Sequence, residues 1–463
     1  MIDRRDFLKS AAVLASTSSL DLLSEKLFMT NSNKQISIDY INANFQREKL
    51  ASPYGFKGNF LSELWQIVSQ IKSTTGNTGT GIATQSVLYA DSDLFVDCTE
   101  AEGNALMFLT VNKALHILKE NPFKDPIELM DRILPEVHSE AKRITQKTDL
   151  NINFVYNALV SVDNAVWLLY AKENKFSSFD SMLPEAYRKT LSHRNKKIAI
   201  MCAVSYNTPM EVLKKEVEDG YFVIKIKTGA PGTQEEMVEA DMKKLTEIHQ
   251  TLKNYRTDQT RDGKLIYTLD ANGRYEKKAT LVKYLEHAKS IGAFDQIILC
   301  EEPLAETNTE HVGDLGVLVA ADESVHNEKD ALRKIELGYG GFVLKGIAKT
   351  LSQTLKIAKL AYDRNLPCAC ADLTVNPVLL EWNKNIASRL APFPGLGMGL
   401  LETNGNVNYE DWNRMKNYHP HADASWTEVK NGTFELNDDF FEKSGGIFTP
   451  STHYQDLLNN PIT

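Results

Sequence analysis

Two lysines, Lys225 and Lys227, lie within residues 223–229, whose sequence Val-Ile-Lys-Ile-Lys-Thr-Gly otherwise has the apolar character of a buried β-strand. Successive side chains of a strand point to opposite faces, so residues two apart share a face. Burial of an unpaired ammonium group is unfavourable, and these lysines therefore need anionic partners or a cavity that holds a metal ion. The pair marks a candidate catalytic or binding site.

Acidic residues that could be these partners stand near the ends of three later apolar segments, and a fourth segment ends in another lysine. They are Asp270 followed by Asn272, Glu301 and Glu302, Asp322 and Glu323, and finally Lys345. A parallel barrel brings the carboxyl ends of its strands to one mouth, so residues far apart in sequence can meet there. Carboxylate oxygens suit Mg²⁺ or another hard divalent cation. Strand alternation lets one member of each adjacent acid pair face the cavity and leaves open which one.

Eight strand-like segments alternate with mostly helical ones in the C-terminal two thirds of the chain. The predicted strands are 197–205, 222–228, 265–270, 297–303, 317–323, 341–345, 367–372 and 396–402. Helical periodicity occupies residues 210–218, 235–252, 331–337 and 351–363. Such alternation is typical of an α/β protein, and eight strands close naturally as a barrel. Residues 153–170 are predicted to form an amphipathic helix before the barrel.

Five short motifs follow one another along the predicted strands. They are Lys-Ile-Lys at 225–227, Leu-Asp-Ala-Asn at 269–272, Glu-Glu-Pro at 301–303, Ala-Asp-Glu-Ser at 321–324 and Val-Leu-Lys-Gly at 343–346. In this order they resemble the enolase superfamily, specifically the muconate-lactonizing enzyme and dipeptide epimerase-like branch of its mandelate racemase/muconate lactonizing enzyme family. The resemblance implies a modified TIM barrel of the (β/α)7β type in residues 151–405. It also implies an α+β capping domain in residues 31–150, which residues 406–463 complete by packing on cap and barrel.

The metal ligands implied by the resemblance are Asp270, Glu301 and Asp322, which would bind Mg²⁺ or Mn²⁺. A proton next to a carboxylate is a very weak acid, so its removal needs a positive centre that stabilises the negative charge as it forms. A divalent cation that touches the substrate carboxylate supplies such a centre. The implied chemistry is abstraction of the proton alpha to the carboxylate of a small-molecule substrate.

Lysines on both sides of the site would exchange this proton. Lys345 stands four strands from Lys227 in an eight-stranded barrel, so it should approach the substrate from the opposite face. A lysine is a poor base at neutral pH, and we expect the positive charges of Lys225 and the metal to lower the pKa of Lys227. One lysine removes a proton and the other returns one, which predicts an isomerase, either a racemase or an epimerase.

Other reactions of the same intermediate remain open, because a stabilised anion can also expel a leaving group. They are cycloisomerisation and the dehydration or syn-elimination of an acid sugar or a succinylbenzoate-type substrate. Related sugar-acid dehydratases carry a histidine-aspartate pair late in the barrel, whereas the predicted seventh strand here reads Pro-Cys-Ala-Cys-Ala-Asp, which favours epimerisation. An alternative of another class is an exported, non-catalytic protein that binds acids through a metal ion.

Residues after the eighth strand and in the cap bear on the substrate. Dipeptide epimerases hold the substrate ammonium with an Asp-x-Asp pair, and here Glu402 and Asn404 occupy that place as a partial replacement. Tyr54 and Phe56 in the loop 50–59, and Tyr89 in the loop 84–93, stand where cap loops of the resembled family select the substrate, although hairpin tips or cap packing would equally explain them. The predicted substrate-binding residues are Tyr54, Phe56, Tyr89, Asn272, Glu323, Glu402 and Asn404.

The composition excludes other classes of function. The 463 residues are 42% hydrophobic and carry a net charge of −9, which is typical of a globular protein and offers no basic surface for nucleic acid. No run approaches the roughly 18 consecutive apolar residues of a membrane span, so none is predicted. The four cysteines of the predicted barrel, Cys202, Cys300, Cys368 and Cys370, are expected to be buried free thiols. A homo-oligomer remains open.

The N-terminal residues 1–30 resemble a twin-arginine export signal. Arg4 and Arg5 precede Asp-Phe-Leu-Lys and a short run of small and apolar residues that ends near Leu23. Such a signal is an address read by a receptor and forms no part of the fold; the alternative is a basic N-terminal helix of a cytosolic enzyme. We expect export of the folded, metal-loaded protein to the periplasm.

Overall fold

A long antiparallel hairpin and a third strand form the sheet of the N-terminal domain. The computed structural model describes residues 35–56 and 59–460 and, within them, all side chains except those of Gly55 and Phe56. The strands are β1 (Ile38–Phe56), β2 (Asn59–Ser73) and β3 (Thr78–Gln85), in the order β1-β2-β3. Apolar side chains of β2 enter the core, and Ile67, Val68 and Ile71 are fully buried. The predicted export signal lies outside the described residues.

Helices follow the sheet and then alternate with the remaining strands. In chain order they are α1 (Val87–Ala90), α2 (Ser92–Asp97), α3 (Glu100–Lys119), α4 (Pro126–Thr145), α5 (Ile152–Glu173), α6 (Phe179–Met182), α7 (Glu185–Arg188), α8 (Met210–Glu218), α9 (Gln234–Leu252), α10 (Lys278–Ser290), α11 (Glu328–Glu336), α12 (Leu351–Tyr362), α13 (Pro377–Ala387), α14 (Gly405–Asn408), α15 (Trp412–Lys416), α16 (Asp438–Lys443) and α17 (Thr452–Asn459). Thr233 and Glu236 form a reciprocal capping box that fixes where α9 begins.

Eight parallel strands close into a barrel. They are β4 (Lys197–Val204), β5 (Val223–Lys227), β6 (Ile266–Asp270), β7 (Ile297–Glu301), β8 (Val319–Ala321), β9 (Gly341–Leu344), β10 (Cys368–Cys370) and β11 (Gly399–Glu402). Each pairs with the next, and β11 pairs with β4 to complete the ring. A helix connects each pair of successive strands except β7 and β8, between which residues 302–318 cross without one. The predicted barrel with an N-terminal capping domain is confirmed.

Helix α5 lies between the N-terminal sheet and the barrel helices and is buried on nearly all sides. Its Asp163 accepts hydrogen bonds from the backbone N–H of Ser352 in α12 at 3.1 Å and from the hydroxyl at 2.5 Å. A Cβ added to Gly79 or Gly81 in β3 would lie 2.0 Å from a carbonyl oxygen of α5, so these glycines permit the close approach of strand and helix. The prediction of an amphipathic helix is wrong, because its polar side chains also point into the protein.

By length and composition alone α5 could cross a membrane, and it is the one such helix in the described part of the chain. In the structure, 94% of its most apolar window is buried inside the protein. This burial is typical of the core helix of a globular domain. The prediction that the chain has no membrane span stays a prediction.

The C-terminal segment contacts both the barrel and the N-terminal sheet. Its strands β12 (Val429–Lys430) and β13 (Thr433–Glu435) form a hairpin, and β13 pairs antiparallel with the start of β4. Asn44 of β1 donates hydrogen bonds to the carbonyls of Leu457 at 2.7 Å and of Asn460 at 2.9 Å. The predicted limits of the capping domain, the barrel and the C-terminal segment stay predictions.

The cysteines are all free thiols. Cys300, Cys368 and Cys370 are buried in the barrel, whereas Cys202 on β4 is partly exposed. The expectation of a buried thiol is therefore wrong for Cys202.

Candidate active site

Lys225 lies on β5 and points into a group of carboxylates at the carboxyl ends of the barrel strands. Only 1% of its side chain is exposed. Its Nζ has partners on three other strands: Asp270 Oδ2 at 3.0 Å, Glu301 Oε1 at 2.9 Å and Glu402 Oε2 at 2.8 Å. The anionic partners that the sequence requires for this buried lysine are therefore present.

Lys227 lies two residues later on the same face of β5, at the outer edge of this group. It pairs with Asp270 and donates a hydrogen bond to Asn272 Oδ1 at 3.2 Å. In contrast to Lys225, 30% of its side chain is exposed. Lys227 is thus the lysine of this pair that a substrate can reach.

Lys345 directly follows β9, four strands from β5 in either direction around the barrel. It pairs with Asp322, and its Nζ lies 3.3 Å from Glu323 Oε1. The ring of Tyr89, from the N-terminal domain, covers this ammonium group with its centroid 4.8 Å from Nζ. Lys345 is consequently only 6% exposed, although it stands at the same mouth as Lys227.

A chain of hydrogen bonds joins the two opposed lysines. Asn272 accepts from Lys227 through Oδ1 and donates through Nδ2 to Glu323 Oε1 at 3.1 Å. The same Glu323 oxygen accepts from Lys345. Asn272 has a left-handed backbone, with φ of 45°, which asparagine tolerates better than most residues. The predicted residues Lys227, Asn272, Glu323 and Lys345 are therefore linked by hydrogen bonds at the mouth of the barrel.

The two pairs of adjacent acids, Glu301 with Glu302 and Asp322 with Glu323, differ in where their side chains point. Glu301 enters the cavity, whereas Glu302 has φ of 35° and turns its carboxylate to the backbone N–H of Asp322 at 2.6 Å. Asp322 and Glu323 both contact Lys345, so the prediction that only one of them faces the cavity is wrong. Strand β8 ends one residue before Asp322, and the alternation of a strand does not extend into a turn.

Electrostatics in this cavity favour charged lysines. Burial opposes the charges of Lys225 and Lys345, but their carboxylate partners outweigh it and raise the pKa of both well above the ordinary value. Burial also opposes the charge of Lys227, and Asp270 again outweighs it and the repulsion from Lys225, so the pKa is raised. Lys225 lowers the pKa of Lys227 as expected, but Asp270 outweighs it, so the expected net lowering is wrong for the protein by itself. The contribution of a metal stays a prediction.

Three buried carboxylates have the chemistry of a site for a hard cation. Burial and the charge of Asp270 raise the pKa of Glu301, and burial and the charge of Glu323 raise that of Asp322. Asp322 Oδ1 accepts no hydrogen bond from any described residue. Within the described residues, no three acidic, histidine or cysteine side chains could hold a metal ion as they stand. The donor set fits Mg²⁺, and its carboxylates now pair with lysine ammonium groups instead.

The remaining predicted substrate-binding residues differ in whether their side chains reach the site. Glu402 contributes to the carboxylate group around Lys225, whereas Asn404 turns its Oδ1 to the hydroxyl of Thr374 at 2.8 Å. Tyr54 is 54% exposed on the hairpin β1–β2, so its role in lining the pocket stays a prediction. The side chain of Phe56 lies outside the described part.

Lys349 and Asp372 beside the site were missed by the sequence analysis. Lys349 is buried and donates to backbone carbonyls, the shortest bond being 2.6 Å to Asp322 O. Asp372 follows β10, and its carboxylate accepts from the backbone N–H of Leu373 and of Asn404. A lysine four positions after Lys345 and an acid at a strand end were the available signals, yet their partners are distant in sequence.

Comparison with known proteins bears on the family and the fold of the chain. Residues 210–399 match the family model described as Enolase C-terminal domain-like. No curated protein matches the chain. A crystal structure from Enterococcus faecalis V583, described as an unknown member of the enolase superfamily, has a TM-score of 0.58 at 18% identity and covers 92% of this chain and 98% of that one.

Two further structures have named activities. A dipeptide epimerase from Cytophaga hutchinsonii, complexed with Mg and the dipeptide D-Ala-L-Val, has a TM-score of 0.56 at 16% identity and covers 81% of this chain and 89% of its own. The N-succinyl Arg/Lys racemase from Bacillus cereus ATCC 14579 has a TM-score of 0.56 at 15% identity, with the same coverage. At such low sequence identities the likeness shows the fold alone.

Proposed function

Because residues 210–399 match the family model described as Enolase C-terminal domain-like, we propose that the protein is a Mg²⁺-dependent racemase or epimerase. It removes the proton alpha to a carboxylate of a small-molecule acid and returns a proton from the opposite face. The observation that carries this proposal is the pair Lys227 and Lys345, which come from strands four apart and meet at the Asn272–Glu323 bridge.

The two lysines divide the proton transfer. The lysine that acts as base must first be neutral; the bond between the alpha carbon and its hydrogen then breaks, and the proton passes to the lysine Nζ. The opposed lysine, in its ammonium form, donates a proton to the other face of the same carbon. Inversion follows because the two Nζ atoms approach from opposite sides of the barrel.

The carboxylates Asp270, Glu301 and Asp322 would hold the cation. Bound Mg²⁺ would offset the carboxylate charge that now raises the pKa of the lysines, and would stabilise the second negative charge that develops on the substrate. Lys225, with 1% of its side chain exposed, contributes a fixed positive charge next to Lys227. Asn272 and Glu323 orient the two ammonium groups.

Two observations favour inversion over elimination. The end of β10 offers Cys368, Ala369 and Cys370 and no histidine that could protonate a leaving group. Structures of similar fold include a dipeptide epimerase and an N-succinyl amino acid racemase. These substrates share an alpha hydrogen between a carboxylate and an amide nitrogen, and we propose an acid of this class.

Deuterium incorporation tests the proposal. The purified protein is incubated with Mg²⁺ in deuterated water against three pools, namely L,L-dipeptides, N-succinyl amino acids and acid sugars. We expect a gain of one mass unit and inversion at the alpha carbon in the dipeptide or N-succinyl pool. Loss of water from an acid sugar would instead establish a dehydratase. Mg²⁺ binding without exchange in any pool would support a non-catalytic acid-binding protein.

Export through the twin-arginine route to the periplasm belongs to the same proposal. It rests on Arg4 and Arg5 and the run that follows them. Residues 1–30 fused to a reporter that is active only after folded export should reach the periplasm, and Arg4→Lys with Arg5→Lys should retain the reporter in the cytoplasm. Export of the double variant would contradict the assignment.

A further inference from the structure

The turn formed by residues 322–325 carries two acids of the candidate site without support from a strand. β8 has only three residues and ends at Ala321, so the backbone of Asp322 and Glu323 lies beyond the barrel's hydrogen-bond ladder. A carboxylate that binds a cation must nevertheless be held in one position. The contacts that hold this turn therefore decide where Asp322 can point.

Glu302 holds the turn from its N–H side. Its Oε2 accepts hydrogen bonds from the backbone N–H of Asp322 at 2.6 Å and of Ser324 at 3.4 Å, and the residue is buried. The backbone of Glu302 is left-handed, which is unfavourable for glutamate and persists where surrounding contacts enforce it. This conformation turns the carboxylate away from Lys225 and towards the turn.

Lys349 holds the same turn from its carbonyl side. Its three ammonium hydrogens have three backbone acceptors in the turn: Asp322 O at 2.6 Å, Val325 O at 2.9 Å and Glu323 O at 3.3 Å. The backbone N–H of Lys349 also donates to the carbonyl of Lys345 at 2.7 Å. Lys349 therefore ties the segment that carries the proposed acid-base lysine to the turn that carries Asp322.

We propose that Glu302 and Lys349 are positioning residues that clamp the turn 322–325 and thereby fix Asp322 for cation binding. This inference rests on the proposed function, since the clamp matters for catalysis only if the site binds a divalent cation. Glu302 and Lys349 touch backbone groups of the turn and act on the site through Asp322 and Glu323.

Two buried lysines, Lys349 and Lys384, can be compared to distinguish an effect on the position of Asp322 from an effect on the stability of the whole protein. Lys384 in α13 is also fully buried, and it donates to Glu381 Oε1 and to the carbonyl of Trp426, both at 2.7 Å, in contacts outside the site. Lys349→Met and Lys384→Met each remove one buried ammonium group of this kind. Mg²⁺ affinity is measured by calorimetry on the full chain, together with the melting temperature and amide hydrogen exchange of peptides covering residues 318–330.

Lys349→Met should weaken Mg²⁺ binding about 10- to 100-fold, as is typical when a partner of a metal ligand is lost. It should also speed amide exchange in residues 318–330. Lys384→Met should lower the melting temperature and leave the Mg²⁺ affinity unchanged. Lys349→Arg keeps donors for the carbonyls and should restore most of the affinity. Glu302→Ala provides an independent loss of the clamp if Lys349→Met fails to fold, and Glu302→Gln, which keeps an acceptor, should bind Mg²⁺ nearly as well as the unaltered protein.

Three results would overturn the inference. They are Mg²⁺ binding by Lys349→Met or Glu302→Ala that matches the unaltered protein, an equal loss of affinity in Lys384→Met, and an unaltered protein that binds no divalent cation. In the third case the proposed function fails as well, and faster exchange in Lys349→Met would then mean that the clamp only stabilises the turn. Normal Mg²⁺ binding without turnover would leave the clamp standing while removing the proposed reaction.

Discussion

Two buried clusters in the described part of the chain combine lysines with carboxylates, and the two are built differently. The C-terminal cluster consists of Glu381, Lys384 and His419, beneath the segment that follows the barrel. There one lysine meets one acid at 2.7 Å, and the rings of Phe434 and Phe440 lie 4.4 and 5.7 Å from its Nζ. This cluster is a buried contact between one lysine and one glutamate, enclosed by aromatic rings.

The cluster at the barrel mouth has more acids than lysines to pair with them. Its lysines are Lys225, Lys227 and Lys345, and its acids are Asp270, Glu301, Asp322, Glu323 and Glu402. Among the described residues, Asp322 Oδ1 here and Glu381 Oε2 in the other cluster both lack a hydrogen-bond donor. The clusters differ in access, because 30% of the Lys227 side chain is exposed and none of the Lys384 side chain is. Buried charge by itself therefore does not mark a site here; a surplus of carboxylate together with access from outside does.

The largest expected difference between the clusters is in turnover. Lys227→Ala and Lys345→Ala should each reduce inversion at least about 10²- to 10⁴-fold, the usual contribution of an acid or base. Lys384→Met should retain inversion at the rate of the unaltered protein, because it lies in the other cluster. Chiral chromatography of the products measures inversion. Normal inversion by both alanine variants would show that the two lysines are not the acid and base.

The clusters should also differ in their need for metal. Asp270→Asn removes an acid of the mouth and should weaken Mg²⁺ binding by more than the about 10- to 100-fold typical of groups that only support a ligand. Glu381→Gln, the matched change in the C-terminal cluster, should leave Mg²⁺ affinity unaltered. The rise in melting temperature on adding Mg²⁺ reports the Mg²⁺ affinity of both variants. A rise in Asp270→Asn equal to that of the unaltered protein would contradict the predicted ligand.

The C-terminal cluster should instead make stability depend on pH. Burial raises the pKa of Glu381 to about 7 despite Lys384. The folded protein therefore holds a proton that the unfolded chain releases near pH 4.5. The free energy of unfolding falls as pH rises from about 4.5 to 7, by at most about 3.4 kcal/mol at about 1.36 kcal/mol per pH unit. Glu381→Gln should remove this fall.

His419 of the same cluster works in the opposite direction and must be separated from Glu381. Burial lowers its pKa to about 4, so its contribution to stability is lost as pH falls below about 6.5. Urea unfolding between pH 4.5 and 8, for the unaltered protein and for His419→Asn, separates the contributions of Glu381 and His419 to the pH dependence of stability. An identical pH profile in Glu381→Gln and the unaltered protein would contradict the assignment to Glu381.

The smallest expected effect concerns the ring that covers Lys345 at the mouth. Tyr89→Leu removes a cation–π contact of about 1–2 kcal/mol and should reduce kcat/KM about tenfold. The kcat/KM values of the forward and the reverse isomerisation must fall together, because the equilibrium constant fixes their ratio. Deuterium exchange without inversion should rise only for the enantiomer whose proton Lys345 accepts, since solvent then reaches this lysine. Tyr89→Phe keeps the ring and should behave as the unaltered protein. If Tyr89→Leu leaves both kcat/KM and deuterium exchange unchanged, the ring of Tyr89 does not shield Lys345 from solvent.

Much of the fold could be predicted from the sequence because its signals are local. The alternation in residues 223–229 places Lys225 and Lys227 on one face, and the acids Asp270 and Glu301 directly end their strands. Eight short apolar segments, separated mostly by helical ones, indicate a parallel barrel. The strand order then places Lys345 opposite Lys227.

The sequence by itself determined the barrel and which charged residues reach its mouth, and the tertiary structure decided how these residues pair. Alternation fails where a strand ends, so the inward direction of both Asp322 and Glu323 depends on Glu302 and Lys349. The sign of the pKa shift of Lys227 likewise follows from its distance to Asp270, and the all-round burial of α5 from the close approach of β3. A local pattern fixes the face on which a side chain lies, whereas its partners belong to segments that only folding brings together.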